Sequence, residues 1–454
     1  MAYATTNPAS GQVERTFPGH TPEEVEHLVA RAATAFGTLR RTTYEERARW
    51  MVTAAELLEG EQPDVARLLT TEMGKTFASA KAEVAKCAVA CRWFAEHAEG
   101  LLADEEIESG AGRSLVRYEP LGAVLAIMPW NFPMWQVIRF AAPALMAGNV
   151  GLLKHASNVP QTALYLGDLF RRAGFPDGAF TTLLVDAGDV VRLIADGRIV
   201  AVTLTGSERA GESVAASAGS ALKKCVLELG GSDPFVVLAS ADLDRAAAVA
   251  VQARVQNNGQ SCIAAKRFIV ERPAYEAFRS RFVAGMAALR VGDPFEPSTD
   301  VGPLVSEAQR AEVAAQVDDA RRHGATIECG GEVPSGPGWY YPPTVITGVT
   351  PQMRVFSEEV FGPVATLYEA ADLGEAIALA NRTSFGLGAS VWTRDDGARD
   401  RCIEEIAAGL VFVNAMVAST PELPFGGVKR SGFGRELSGL GIKEFCNAKA
   451  IWIA

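Results

Sequence analysis

Apolar and polar positions along the chain fall into two regimes. Up to about residue 105 the period is helical. Thr21-Pro22-Glu23-Glu24 is a capping box with proline at the first helical position, which predicts a helix running to about residue 35. Thr43, with Glu46 three residues on, starts a second helix. Helical periodicity continues over 63–73 and 79–102, and residues 1–20 read as extended or loop. This front third shows no chemistry.

Beyond it the pattern changes. Residues 113–118 alternate polar and apolar, a strand with two unlike faces. Short all-apolar runs follow at 123–127, 150–153, 180–185 and 199–204, separated by helical segments at 136–146, 160–173 and 190–195. Such alternation predicts an α/β unit with a doubly wound parallel sheet, buried on both faces. Ligands bind beyond the carboxyl ends of such strands, so the stretches to inspect are 129–133, 154–158, 186–189 and 205–211. A second α/β unit begins near 230. Its strands are expected at 235–238, 268–270, 365–368, 388–392 and 411–413, and its helices at 243–256, 274–289, 307–322 and 400–407. The chain closes on an apolar strand over 448–453, an edge that needs something to pair with it.

Composition narrows the partners. With 454 residues, 48% apolar and 21% charged, the chain is a multidomain globular protein. A net charge of −11 argues against nucleic acid and anionic membrane. Seven cysteines, an odd number in a long chain, suit a reducing cytoplasm better than a disulfide framework. Cys87 and Cys91 share one helix face and read as core thiols. No metal-ligand pattern, secretory signal or membrane-length apolar run occurs, so no metal, no membrane partner and a cytoplasmic location are expected.

Four stretches carry candidate chemistry. Asn257-Asn258-Gly259-Gln260-Ser261-Cys262 places a cysteine in a loop rich in Gly, Asn and Gln, between a helix and a strand. A lone Cys is ordinarily a small buried hydrophobe. Three companions make Cys262 a candidate nucleophile. Pro129-Trp130-Asn131-Phe132-Pro133 follows a buried strand, and its two prolines fix a backbone from which Asn131 can offer an oxyanion donor. Thr205-Gly206-Ser207 leads a strand into a helix, presenting backbone N–H groups suited to pyrophosphate. Its glycine spacing is G-x₄-G, and no GxGxxG occurs. Glu228, between leucines and followed by Gly230-Gly231, is poised for a pKa raised by desolvation, as a general base near neutral pH requires.

Together these stretches resemble the NAD(P)-dependent aldehyde dehydrogenases. Glu359-Val360-Phe361-Gly362-Pro363 and Pro424-Phe425-Gly426-Gly427, followed by Lys429 and Ser431-Gly432, extend the likeness over nearly the whole chain, in family order. Within the family the chain is most similar to short bacterial succinate-semialdehyde dehydrogenases. The resemblance implies two Rossmann-like domains and a small β oligomerisation arm. The cofactor domain would span 1–105 and 120–229, the catalytic domain 230–435, and the arm 106–119 with 436–454, giving a homodimer or homotetramer. It implies catalysis by Cys262, Glu228 and Asn131. Cofactor contacts would come from Trp130, Lys154, Ser157, Gly188, Thr205, Gly206, Ser207, Leu229, Glu359 and Phe361. NADP is expected over NAD, because Ser157 stands where NAD-preferring relatives commonly hold a glutamate, and Lys154 adds positive charge. Ala264 stands where many such enzymes carry a second cysteine, so no disulfide switch is expected beside Cys262.

For the substrate the resemblance implies a short ω-carboxylated aldehyde, succinic semialdehyde in particular. Arg139 and Ser419 match residues of the carboxylate pocket, whereas Gln256 occupies the place of a second arginine. A broad-specificity aliphatic or aromatic aldehyde dehydrogenase is the alternative. An acylating enzyme passing its thioester to coenzyme A is disfavoured by Glu228. A non-catalytic protein on the same fold is disfavoured by the joint presence of Cys262, Glu228 and Asn131.

Overall fold

The structure, a computed structural model, describes residues 3–454. The first residues pair as an antiparallel hairpin, Tyr3–Asn7 with Gln12–Phe17. Both capping boxes form. Thr21 opens helix Pro22–Leu39 and Thr43 opens Tyr44–Gly60, each accepting from the backbone N–H of a glutamate that bonds back. Gln62–Met73 and Phe77–Leu101 complete the helical front. Cys87 and Cys91 are buried free thiols in the last of these, and burial pushes both pKa values up.

Pro22–Leu39 packs on a six-stranded sheet, and the other three helices pack on one another and on that sheet's own helices. The sheet's order is Gly432–Phe433, Lys224–Glu228, Ile199–Thr205, Ala123–Met128, Val150–His155, Phe180–Thr182. All pairings are parallel except that of Gly432–Phe433. The central strands are buried on both faces, which is why they read as unbroken apolar runs. The run at 180–185 is only half strand. Pairing stops at Thr182 while Leu183, Leu184 and Val185 continue as buried loop, so hydrophobicity outlasts the ladder. Winding reverses between Ala123–Met128 and Ile199–Thr205, which opens a crevice at their carboxyl ends.

The second sheet has seven strands, in the order Thr326–Cys329, Thr344–Thr347, Val364–Ala370, Arg267–Glu271, Pro234–Val237, Gly388–Trp392, Leu410–Val413. Its first two strands, four residues each, escape the sequence pattern, and the first runs antiparallel at the edge. Helix Leu373–Asn381 was likewise not expected.

A third sheet stands apart. Cys446–Ile453 pairs antiparallel along all of Arg113–Pro120, which also pairs with Glu105–Glu106. Leu437 and Ile442 instead lie in the core of the first unit. The separate sheet therefore takes its C-terminal strand from Cys446 onward, ten residues after the expected boundary at 436.

Candidate active site

The crevice of the first sheet continues into a cavity of about 280 Å³, lined by Pro129, Trp130, Asn131, Gln136, Thr205, Gly206, Ser207, Leu229, Gly230, Cys262, Gln309, Glu359 and Phe361. All six motifs but the last contribute to its wall. Trp130 and Phe361 meet edge to face, with ring centroids 5.7 Å apart. Ser207 caps helix Glu208–Ser220, so Gly206 and Ser207 bring a helix N-terminus to the crevice. A Cβ on Gly211 would lie 2.7 Å from Leu229, so this glycine permits close packing of helix on strand.

Cys262 is presented by a turn with an unusual backbone. Asn257, Asn258 and Gly259 are all left-handed, with φ of 57°, 58° and 76°. Asparagine and glycine are the residues that tolerate this region, so the Asn-Asn-Gly run explains itself. The side chains then lock it. Asn257 Nδ2 donates to the carbonyls of Asn131 (2.7 Å) and Gln260 (3.0 Å), and Asn258 Nδ2 donates to those of Gly74 (2.9 Å) and Pro303 (3.0 Å). A Cβ on Gly259 would lie 2.3 Å from the carbonyl carbon of Gly362. The Glu359 motif thus buttresses the nucleophile loop as well as lining the cavity.

Asn131 reaches the same loop. Its Nδ2 donates to the Gln260 carbonyl at 3.1 Å, and a carboxamide nitrogen carries a second N–H. The turn that holds Asn131 is stapled from two sides. Glu83 Oε1 accepts the backbone N–H groups of Met134 and Trp135, both at 2.9 Å, and Glu83 is itself paired with buried Lys75. His155 Nε2 donates to the Pro133 carbonyl at 2.9 Å, while its Nδ1 accepts from Ala156 at 2.9 Å. Burial brings the His155 pKa down to about 4, so the ring is neutral.

Electrostatics around the thiol are mixed. Lys266 Nζ donates to the carbonyls of Ser261 and Cys262, both at 2.8 Å, and pairs with Glu359 at 3.2 Å. Lys266 and Arg139 pull the Cys262 pKa down, but burial outweighs them and holds it up at about 12. Glu228 is buried, with neither carboxyl oxygen hydrogen-bonded to the protein. Desolvation pushes its pKa well up, as the flanking leucines led us to expect. Its carboxyl does not line the cavity: Oε1 lies 2.7 Å from where Gly426 would carry a Cβ, on the far side of Leu229 and Gly230 in sequence.

Other expected site residues are dispersed. Lys154 lies in the neighbouring strand Val150–His155 and Ser157 just beyond it, and Gly188 is exposed near the start of helix Ala187–Ala195. None of the three lines the cavity. Gln256 leads into the nucleophile turn, and its Oε1 is buried without a protein partner. Ser419 is buried, and its hydroxyl accepts from Trp135 Nε1 (3.0 Å) and Lys86 Nζ (2.8 Å). Arg139 is already partnered within the protein. It is only 1% exposed, forms an ion pair with buried Glu436, donates to Thr205 Oγ1 at 3.2 Å and lies over the Phe425 ring. A buried guanidinium must be paired, and Glu436 already does this, so Arg139 is no free receptor for a substrate carboxylate. The supports Lys266, His155, Glu83 and Lys75 had no sequence signal, because each works through a backbone carbonyl, a backbone N–H or a carboxylate that no motif marks. Asn257 did have one, in the Asn-Asn-Gly run.

Comparison with known proteins agrees with this geometry. The aldehyde dehydrogenase family pattern matches residues 1–451. The succinate-semialdehyde dehydrogenase NADP(+) 1 of Mycobacterium tuberculosis is 59% identical over 457 residues, covering 100% of both chains. The succinate-semialdehyde dehydrogenase NADP(+) of Mycobacterium avium is also 59% identical, covering 100% of this chain and 97% of that one. Among solved structures, the succinic semialdehyde dehydrogenase of Streptococcus pyogenes in complex with NADP+ superposes with a TM-score of 0.97 at 37% identity, over 100% of both chains. An E. coli NADP-dependent enzyme gives a TM-score of 0.97 at 35% identity, over 100% of this chain and 95% of that one.

Proposed function

The chain belongs to the aldehyde dehydrogenase family, and from that premise we propose that it oxidises succinic semialdehyde to succinate with NADP as acceptor. The observation that carries the reading is the meeting of Cys262 and the Asn131 carboxamide in one cavity that opens into the crevice of the first sheet. NADP fits that crevice. Trp130 and Phe361 wall it, the turn Thr205-Gly206-Ser207 offers a helix N-terminus, and Gly230 brings its backbone close to the Glu359 carboxylate, a Cβ there lying 2.6 Å from Oε2. When bound, the cofactor takes up a hydride.

The residues divide the work. Cys262 passes its thiol proton to water and, as thiolate, attacks the aldehyde carbon, giving a thiohemiacetal whose oxyanion accepts hydrogen bonds from Asn131 and from the Cys262 backbone N–H. Loss of hydride leaves a thioester on Cys262. Glu228, swung from its buried position toward the cavity, removes a proton from water for hydrolysis. Burial raises its pKa, which makes it a stronger base once it is ionised. Lys154 and the neutral Ser157 favour NADP by leaving room and positive charge for a 2′-phosphate.

The sheet of Cys446–Ile453, Arg113–Pro120 and Glu105–Glu106 serves as an oligomerisation arm in a homodimer or homotetramer, and the protein works in the cytoplasm. Among the described residues no helix is long and apolar enough to cross a membrane.

The test is kcat/KM for succinic semialdehyde and butanal, each with NADP and NAD. The carboxylated aldehyde with NADP should win both comparisons. Equal turnover of the two aldehydes would make this a broad-specificity enzyme, and equal or better use of NAD would refute the cofactor assignment.

A further inference from the structure

The ion pairs behind the oxyanion turn leave one cation over. Three basic side chains gather there, with Lys86 in electrostatic reach of both Lys75 and Arg139. Lys75 is matched by Glu83, and Arg139 by Glu436. Glu83 is further committed to the backbone of Met134 and Trp135. Lys86 is the third, half-buried on helix Phe77–Leu101, and among the described residues no carboxylate comes within ion-pair distance of it. Its ammonium rests on the Trp135 ring, 4.0 Å from the centroid, and donates to Ser419 Oγ at 2.8 Å. Burial brings its pKa down to about 8, yet it remains mainly protonated at neutral pH.

Trp135 and Lys86 both donate to the Ser419 hydroxyl. With its lone pairs so used, Ser419 must point its own hydrogen outward. The ammonium spends one of its three N–H groups on Ser419. The cluster is thus a set of donors without an acceptor, centred on an unneutralised charge. It lies near the nucleophile, since Lys86 and Cys262 both feel the charge of Arg139, and Gln136, the residue after Trp135, lines the aldehyde cavity. The acceptor that would complete it is a carboxylate.

We propose that Lys86, with Ser419, is the cation that receives the ω-carboxylate of the aldehyde and so determines specificity. The inference rests on the succinic-semialdehyde reading above. It takes the place left open by neutral Gln256 and by Arg139, which Glu436 already holds.

The test is kcat/KM for succinic semialdehyde and butanal in wild type, Lys86→Gln and Lys86→Arg. Lys86→Gln should lower kcat/KM for succinic semialdehyde about 10- to 150-fold, mostly through KM, the range expected for one charge-assisted hydrogen bond. Butanal should change less than about twofold, and Lys86→Arg should keep most of the preference. If wild type prefers succinic semialdehyde and Lys86→Gln keeps that preference, or if both aldehydes fall together, the role of Lys86 is overturned while the substrate reading stands. If wild type does not distinguish the aldehydes, the substrate reading itself fails. Should Lys86→Gln not fold, wild type decides by mass spectrometry: succinate, and not butyramide, should protect Lys86 from acetylation. Equal acetylation with both would overturn the assignment.

Discussion

At the scale of the residue, Cys262 and Glu228 each rest in a form that needs a change of surroundings to react. Burial keeps the thiol protonated, with its pKa at about 12 despite Lys266 and Arg139. Below that value the thiolate fraction rises tenfold per pH unit, and thiolate is the species that alkylates. Alkylation of Cys262 in the cofactor-free enzyme should therefore rise about tenfold per unit from pH 7 to 10; a plateau by pH 8 would show a thiol activated at rest. Ser157→Glu should move kcat/KM toward NAD by placing a carboxylate against the 2′-phosphate; an unchanged NADP to NAD ratio would remove Ser157 from the cofactor site. The local settings of Cys262, Asn131 and Glu228 were legible because neighbouring glycines, prolines and leucines declare them. The pairing of Arg139 was not foreseen because its partner Glu436 is nearly 300 residues away, and sequence spacing says nothing about which carboxylate neutralises a buried arginine. Lys86 was passed over for the converse reason. Its helix reads as a generic front helix, and a missing counterion has no sequence signature.

At the scale of the element, the nucleophile loop is held by conformation and by packing together. Gly259→Ala would add a Cβ at 2.3 Å from the Gly362 carbonyl carbon on a backbone with φ of 76°. We expect it to cost several degrees of Tm and most of the activity, read by thermal melting and steady-state rates; near-normal values for both would show that the loop can shift freely. Asp233, just after the Gly230-Gly231 turn, stores a pH-dependent cost. Burial lifts its pKa from 3.8 to about 7. Folding thus favours the protonated carboxyl, and that stabilising contribution is complete below pH 3.8 and is lost as pH rises to 7. Asparagine keeps the oxygen that accepts from Gly388 at 3.1 Å and never ionises. The Tm advantage of Asp233→Asn over wild type should therefore grow between pH 4 and 8; a difference constant with pH would contradict the buried carboxylate. Long elements were legible from periodicity and caps, as Thr21 and Thr43 illustrate. The four-residue strands Thr326–Cys329 and Thr344–Thr347 were not, because a run that short has no period of its own.

At the scale of the whole molecule, two α/β units meet so that the crevice of one carries the nucleophile loop of the other. The alternation of buried strands and helices made both units readable. Their mutual placement was not, since contacts such as Asn257 to Asn131 join residues 126 positions apart. The third sheet points outward, with Trp452 63% exposed on its edge strand. Trp452→Glu should weaken subunit association in sedimentation; a wild type that sediments as a monomer would remove the arm's proposed purpose.

The account's central claim is a thioester on Cys262 that Glu228 helps to hydrolyse. Its most direct test is rapid mixing of Glu228→Gln with succinic semialdehyde and NADP, followed by intact and peptide mass spectrometry. The variant should release one burst of NADPH per active site and then run about 10²- to 10⁴-fold slower than wild type, the range expected for loss of a general base. A succinyl group should be found on Cys262. A variant with wild-type steady-state turnover, or a burst that leaves Cys262 unmodified, would contradict the mechanism.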